Sequence, residues 1–407
     1  MRERFEIIKW TFLAKFIFAL FLLYQVDQLS TGLFNRLGMP SPFKIAFLIF
    51  PFLLISRQPL RYIATRRILD IFSVLIFWSF FTSLWSYDQL DSWGYTFQVL
   101  LLFSFSVMSL NILHKYPGVI EKLLFGTAIV GGFVSILSLL GVFTPSGVTN
   151  ARLVFDGIGT NAISISVGYI FICSLSLLFF PRISRSQKIV VCIVSIFIFL
   201  MMIGTGTRSV VWGIFISLVL SYFFAFRSFS FGRFLPVAII VATLYFAFDY
   251  TLKSDFIGEK VSSRLATADE KVFAENSRLI FWTAGIDWFS YNIFGTGAGV
   301  KNEGRMFSQE IGEYREAHSV FFSALIQYGF IGFIVLVAGL YLIVKEIVKI
   351  RETHLRFAAA CLFIFFIIQA TKGSSFQTRL FWHPLTLVLL FIEVSKSTAR
   401  ARLQKTT

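Results

Sequence analysis

The chain has 407 residues, of which 56% are hydrophobic, 18% aromatic and only 14% charged. A soluble chain carries about 25% charge, so there is too little polar surface here to cover several soluble domains, and 52 phenylalanines exclude a disordered chain. The net charge of +15 sits in short Lys/Arg clusters between apolar runs, a pattern that orients a membrane protein rather than one that binds nucleic acid.

A helix crossing the hydrocarbon needs about 20 mostly apolar residues. Twelve stretches are predicted as spans: 10–26, 43–56, 68–86, 95–113, 119–143, 162–180, 188–203, 209–226, 234–250, 329–344, 355–371 and 380–395. The second, seventh, tenth and twelfth are short, and Pro51 interrupts the second. The basic residues Arg2, Arg4 and Lys9 precede the first stretch as in a signal peptide, but no small-residue cleavage site follows Leu23, so it is taken as a retained span.

With both termini cytoplasmic, the inside segments hold 22 basic residues and the short outside loops six: Arg36, Lys44, Arg152, Arg208, Lys372 and Arg379. One missed or extra span would invert this bias for every later loop. The expected fold class is therefore an all-α polytopic membrane bundle. Its expected parts are spans over 1–250, a large extracytoplasmic loop over 251–328, spans over 329–395 and a basic cytoplasmic tail over 396–407. The loop stretch 251–317 carries eight basic and ten acidic side chains, and a long ordered loop is usually functional.

Within that loop, Asn276 and Ser277 can cap a helix start, and Leu279, Trp282, Ile286, Phe289 and Ile293 recur at spacings of three and four. The spacing predicts an amphipathic helix lying on the interface or on the bundle. Gly295-Thr-Gly-Ala-Gly299 then breaks it. No strand precedes this run and no helix is expected clearly after it, so a dinucleotide site is a poor reading.

Cys173, Cys192 and Cys361 lie in apolar runs without metal-ligand spacing and are expected to pack. Ionisable residues inside the spans are few. Lys15 can snorkel, and Glu393 lies near the inner end of the last span. A transporter would need polar residues along a path or broken helices, for which Gly131-Gly132 is a candidate.

Polar features gather instead on the outside face. Gly204-Thr-Gly-Thr-Arg208-Ser209 is a tight turn that sets Arg208 at a helix N-terminus, where free N–H groups and the helix dipole favour an anion. Ser277-Arg278, with Trp282 one turn on, repeats that arrangement. His318 stands at the outside start of a helix expected to run to about Tyr328, before Gly329 permits a bend into the tenth span. The loop 144–161 adds Arg152 and Asn161. Each has a plainer reading alone, as an interfacial arginine on lipid headgroups, a solvated loop residue or a structural histidine. Together they suit an anionic, lipid-anchored ligand such as a diphosphate.

These segments resemble the bacterial O-antigen ligase/polymerase family. The resemblance rests on Trp85-Ser-Tyr-Asp88, Gly157-Ile-Gly-Thr-Asn161, Gly204-Thr-Gly-Thr-Arg208-Ser209, Ser277-Arg278 with Trp282, Asn292-Ile-Phe-Gly295-Thr-Gly297-Ala-Gly299, and His318-Ser-Val-Phe-Phe followed by Gly329 and Gly332. Ser319 and Ala162 depart from it, since the family often has Asn near both places. The resemblance implies a glycosyltransferase of the C type in the bacterial inner membrane, surrounded by its lipids. It would take a glycan from a polyprenyl diphosphate carrier to a lipid A–core acceptor or a growing glycan. It implies that Arg208 and Arg278 hold the diphosphate, with Arg152, Asn161 and Trp282 adding substrate contacts, and that His318 activates the acceptor. Neither a metal nor another cofactor is expected. A polymerase of the same family and a lipid-linked glycan flippase are the competing readings.

Overall fold

A computed structural model of the chain describes residues 14–22, 65–116, 118–140, 160–205, 207–226, 277–373, 376 and 378–403, with single positions between 235 and 249. Six helices come first: α1 (Arg66–Thr82), α2 (Gln89–Leu113), α3 (Val119–Leu139), α4 (Thr160–Leu177), α5 (Arg185–Gly204) and α6 (Arg208–Ala225). Then come α7 (Ser277–Tyr291), α8 (Val300–Ile311), α9 (Val320–Val348), α10 (Thr353–Ala370) and α11 (Arg379–Leu403). Residues 14–22 are helical, and no strand occurs among the described residues.

Eight of these helices are long and apolar enough to cross a membrane, and Asn161–Leu177 is a shorter apolar helix. They coincide with the third to eighth and tenth to twelfth predicted spans. The first is described only at 14–22, the second lies outside the described residues, and the ninth is helical at each described position. The seventh, tenth and twelfth stretches are longer than expected. Ser184 and Gln187 close a capping box that starts α5 early, and α9 carries its helix back from the span into the loop as far as Val320.

Helix α10 is the most enclosed of the apolar helices except the last, packing on α6, α4 and α11. Without water between helices, small residues let backbones approach. A Cβ on Gly131 would lie 2.3 Å from Ile170, and one on Gly132 2.6 Å from Val194. This pair therefore seats α3 against α4 and α5 within a continuous helix and does not break the span. Cys173 and Cys361 are buried as expected, whereas Cys192 is exposed on α5.

The two ends of the bundle differ in chemistry. At the end that the charge bias assigns to the cytoplasm, Glu393 is buried and accepts the amide of Thr65 at 3.0 Å and its hydroxyl at 3.3 Å, satisfying donors at the start of α1. Arg356 is buried as well, and its guanidinium donates to the carbonyl of Ala225, the last residue of α6. At the other end, Trp85, Trp93, Trp212 and Tyr291 are exposed within two turns of helix termini. Exposed Trp and Tyr at that level form the belt that marks a membrane–water boundary.

Candidate active site

The site is built at this aromatic-belted end, and its centre is the crossing of the Gly295–Gly299 run with α9. At Gly329 the helix breaks, with φ 65° and ψ −164°. The carbonyls and amide released by the break find partners in the glycine run. Thr296 N–H donates to Ile326 O at 2.7 Å, Gly297 N–H to Gln327 O at 3.1 Å, and Phe330 N–H to Ile293 O at 2.9 Å. Backbones cross so closely that a Cβ on Gly329 would lie 2.3 Å from Ile293 O. A Cβ on Gly297 would lie 2.3 Å from Ser86 Cβ. The glycines are thus spent on packing and φ > 0. Contrary to expectation a helix does follow, since Gly299 leads directly into α8.

Helix α8 is fixed to the Trp85–Asp88 segment. Asn302, fully buried, accepts the amide of Asp88 at 2.7 Å and donates to Ala298 O at 2.6 Å. Arg305 donates to Tyr87 O at 2.9 Å and lies 3.5 Å from Asp88, while Lys301 lies 3.3 Å from Asp91. Trp85 donates its indole N–H to Gly295 O at 3.2 Å. Beside this contact a cleft of about 500 Å³ opens, lined by Trp78, Phe81, Trp85 and residues 291–295.

Helix α7 has its predicted start at Ser277, but a different face is buried. Phe281, Gly285 and Trp288 point inward, while Leu279, Ile286 and Ile293 are exposed. The helix is apolar around most of its circumference, so periodicity alone does not choose its buried side. Gly285 does, because a Cβ there would lie 3.0 Å from Ile326. Phe281 and Trp288 join Met306, Phe307, Ala317 and Ile326 in a small core separate from that of the bundle.

The residues singled out from the sequence are placed as follows. His318 is exposed and has φ 52°, the only non-glycine residue with positive φ among those described. Such a backbone is uncommon outside glycine, although His, like Asn and Asp, adopts it more often than other residues, and residues held there cluster at functional sites. Among the described residues no hydrogen bond to its ring occurs. Trp282 is half-buried, with its indole N–H on Ala317 O at 3.0 Å and its ring stacked on Phe322. Arg278 lies in the first turn of α7, four residues before Trp282 and hence about 6 Å along the same face.

Arg208 is the first residue of α6, half-buried, and has no ion pair or hydrogen-bond partner among the described residues. Its turn is held by α4, where the Ser164 hydroxyl donates to Thr205 at 2.7 Å and lies 2.6 Å from the Thr207 hydroxyl. Asn161, exposed, precedes Ser164 by three residues on the same helix face. Arg152 lies outside the described residues.

The end of α10 links these places. Gln369 donates to the carbonyl of Ser209 at 3.2 Å. One turn further, a Cβ on Gly373 would sit 3.9 Å from the carbonyl oxygen of His318. The Arg208 turn and the His318 corner therefore share one end of the bundle.

The sequence reading passed over Glu303. Its carboxylate is 1% exposed and accepts Ala317 N–H at 2.5 Å, Gln327 Nε2 at 2.6 Å and Ser323 Oγ at 3.1 Å. Burial pushes its pKa up from the usual 4.5 to about 7, against the pull of those hydrogen bonds. In the sequence it was one loop acid among ten, with no signal to separate it.

A family model described as O-antigen ligase matches residues 193–337. Arg208, Arg278, Glu303 and His318 fall inside that segment, whereas Arg152 and Asn161 fall outside. No curated protein matches the chain. The match spans about a third of the chain, and together with the helices long and apolar enough to cross a membrane it supports the resemblance to the O-antigen ligase/polymerase family.

Proposed function

We propose that the chain moves a glycan from a polyprenyl diphosphate carrier to an acceptor hydroxyl on the extracytoplasmic face of the bacterial inner membrane. The observation that carries this is the shared end of the bundle, where Arg208, half-buried at a helix start and without a partner among the described residues, and the positive-φ His318 corner meet the end of α10 and the turn just beyond it. Arg208 and Arg278, each in the first turn of a helix, hold the diphosphate. Arg152 and Asn161 add contacts to it, and Trp282 offers the free part of its ring to the glycan.

The chemistry is a single displacement. The imidazole of His318 takes the acceptor proton, and the acceptor oxygen forms a bond to the anomeric carbon. The bond from that carbon to the carrier breaks, and the diphosphate leaves with the electron pair. Negative charge growing on the leaving group meets guanidinium groups already in place, so the reaction needs no metal for that purpose. One displacement inverts the anomeric centre.

The acceptor we favour is lipid A–core, because the chain has one large outside loop rather than two comparable ones. A deletion strain separates this from chain extension. Loss of a ligase leaves long carrier-linked polymer, whereas loss of a polymerase leaves core bearing at most one repeat unit.

Mass spectrometry of products from purified protein, carrier-linked glycan and candidate acceptors tests the reaction. Arg278→Ala, Arg278→Lys and His318→Ala are expected to abolish transfer while leaving the protein in the membrane. Undiminished transfer by His318→Ala would refute the base assignment.

A further inference from the structure

Both main-chain groups of Ala317, the residue before His318, are held. Its N–H donates to Glu303 Oε1 at 2.5 Å, and its carbonyl takes the indole N–H of Trp282. Glu303 itself meets three donors, namely that amide, Ser323 Oγ and Gln327 Nε2. An ionised carboxylate is acceptor-only, so these three donors favour the charged form, against the burial that favours the neutral one. Gln327 passes the contact on, since its Oε1 accepts the amide of Gly299 at 3.1 Å. One buried side chain thus ties the glycine run, the break in α9 and the His318 corner together.

We infer that Glu303 is a positioning residue for glycan transfer, holding the Ala317 peptide so that the His318 imidazole faces the acceptor hydroxyl. It is too deeply buried to touch substrate, and its effect passes through His318. The inference rests on the reading of His318 as the base.

The test uses the purified full-length protein with carrier-linked glycan as donor. Glu303→Gln keeps the shape but brings an N–H₂ group against donors. A misplacement of this kind lowers kcat by about 100-fold, with KM for the donor within twofold, because the arginines are untouched. Glu303→Asp keeps the charge and recovers part of kcat. If Glu303→Gln does not fold, Glu303→Asp carries the same comparison of kcat with KM against wild type.

Hydrogen exchange supplies a second readout that does not depend on turnover. Exchange at the Ala317 amide is expected to accelerate at least tenfold in Glu303→Gln, with α9 beyond Gly329 unaffected. An unchanged kcat, a raised KM at constant kcat, or acceleration spread along α9 would each overturn the inference. Should the wild-type protein transfer no glycan, the functional reading falls, and the exchange comparison still decides whether Glu303 fixes the corner.

Discussion

The indole N–H of Trp282 donates to the carbonyl of Ala317 at 3.0 Å, so the helix that begins beside Arg278 is pinned to the residue before His318. The ring also lies nearly parallel to Phe322, 10° off, with centroids 4.8 Å apart. Trp282→Phe removes the N–H and keeps the stacking. A neutral hydrogen bond contributes about 0.5–1.5 kcal/mol, so kcat for transfer is expected to fall roughly threefold to tenfold. Trp282→Ala, which also loses the stack, should cost more. Steady-state assays on both variants give the ranking, and a Trp282→Phe enzyme with wild-type kcat would show the bond to be idle.

Arg208 starts α6 with no competing carboxylate among the described residues, whereas Arg305 and Arg315 lie against Asp88 and Glu313. A lysine at position 208 keeps the charge and loses the fork that grips a phosphate. Hydrogen bonds to charged groups contribute about 1.5–3 kcal/mol, so Arg208→Lys should lower kcat/KM by roughly 10- to 100-fold and Arg208→Ala by more. Equal activity of Lys and wild type would mean that only charge matters there.

Gly329 and Gly312 both have positive φ, 65° and 72°, but only Gly329 is crowded. An alanine at Gly312 carries the left-handed penalty of about 1–2 kcal/mol, and at Gly329, where ψ is −164°, it enters a region open essentially to glycine alone, at a cost of about 1–3 kcal/mol. At Gly329 the added methyl also meets Ile293 O, which adds an overpacking cost of about 1–3 kcal/mol. Thermal unfolding in detergent should rank Gly329→Ala well below Gly312→Ala. Equal melting temperatures would mean that the crossing gives way easily.

Burial raises the carboxyl of Glu303 to about 7, opposed by hydrogen bonds from Ala317, Gln327 and Ser323 and supported by nearby Glu316. With the folded value above the ordinary 4.5, the folded state holds its proton more tightly. The corresponding stability is fully present below pH 4.5 and is lost as pH rises through 7, about 3 kcal/mol in all. The melting temperature of wild type minus that of Glu303→Gln should therefore fall across this window and level off above it. A difference independent of pH would place the ionisation of Glu303 elsewhere.

Most of the spanning helices were legible because hydrocarbon imposes a length and a composition that survive in any window of the chain. The bend at Gly329 was anticipated, but glycines inside apolar runs do not all bend, since Gly131 and Gly132 serve close packing in an unbroken helix. The buried face of α7 was not. Leu279, Ile286 and Ile293 have helical spacing, yet Phe281, Gly285 and Trp288 do also, and close approach to Ile326 chose between them. The helix after Gly299 was missed because α8 is largely polar and its signal lies in buried Asn302 and Glu303.

Composition and the alternation of basic clusters determined that this chain is a helical membrane protein, and the spacing of its arginine and histidine motifs pointed to the family. Those are properties of short windows, set by the dielectric of the bilayer and by helix periodicity. Only the tertiary structure brought Ser209 to the last turn of α10 and His318 to the turn just after it, and only it turned Glu303 from one loop acid among ten into the clamp on Ala317. Such contacts join residues far apart in the chain, and their strength comes from burial, which no local pattern encodes.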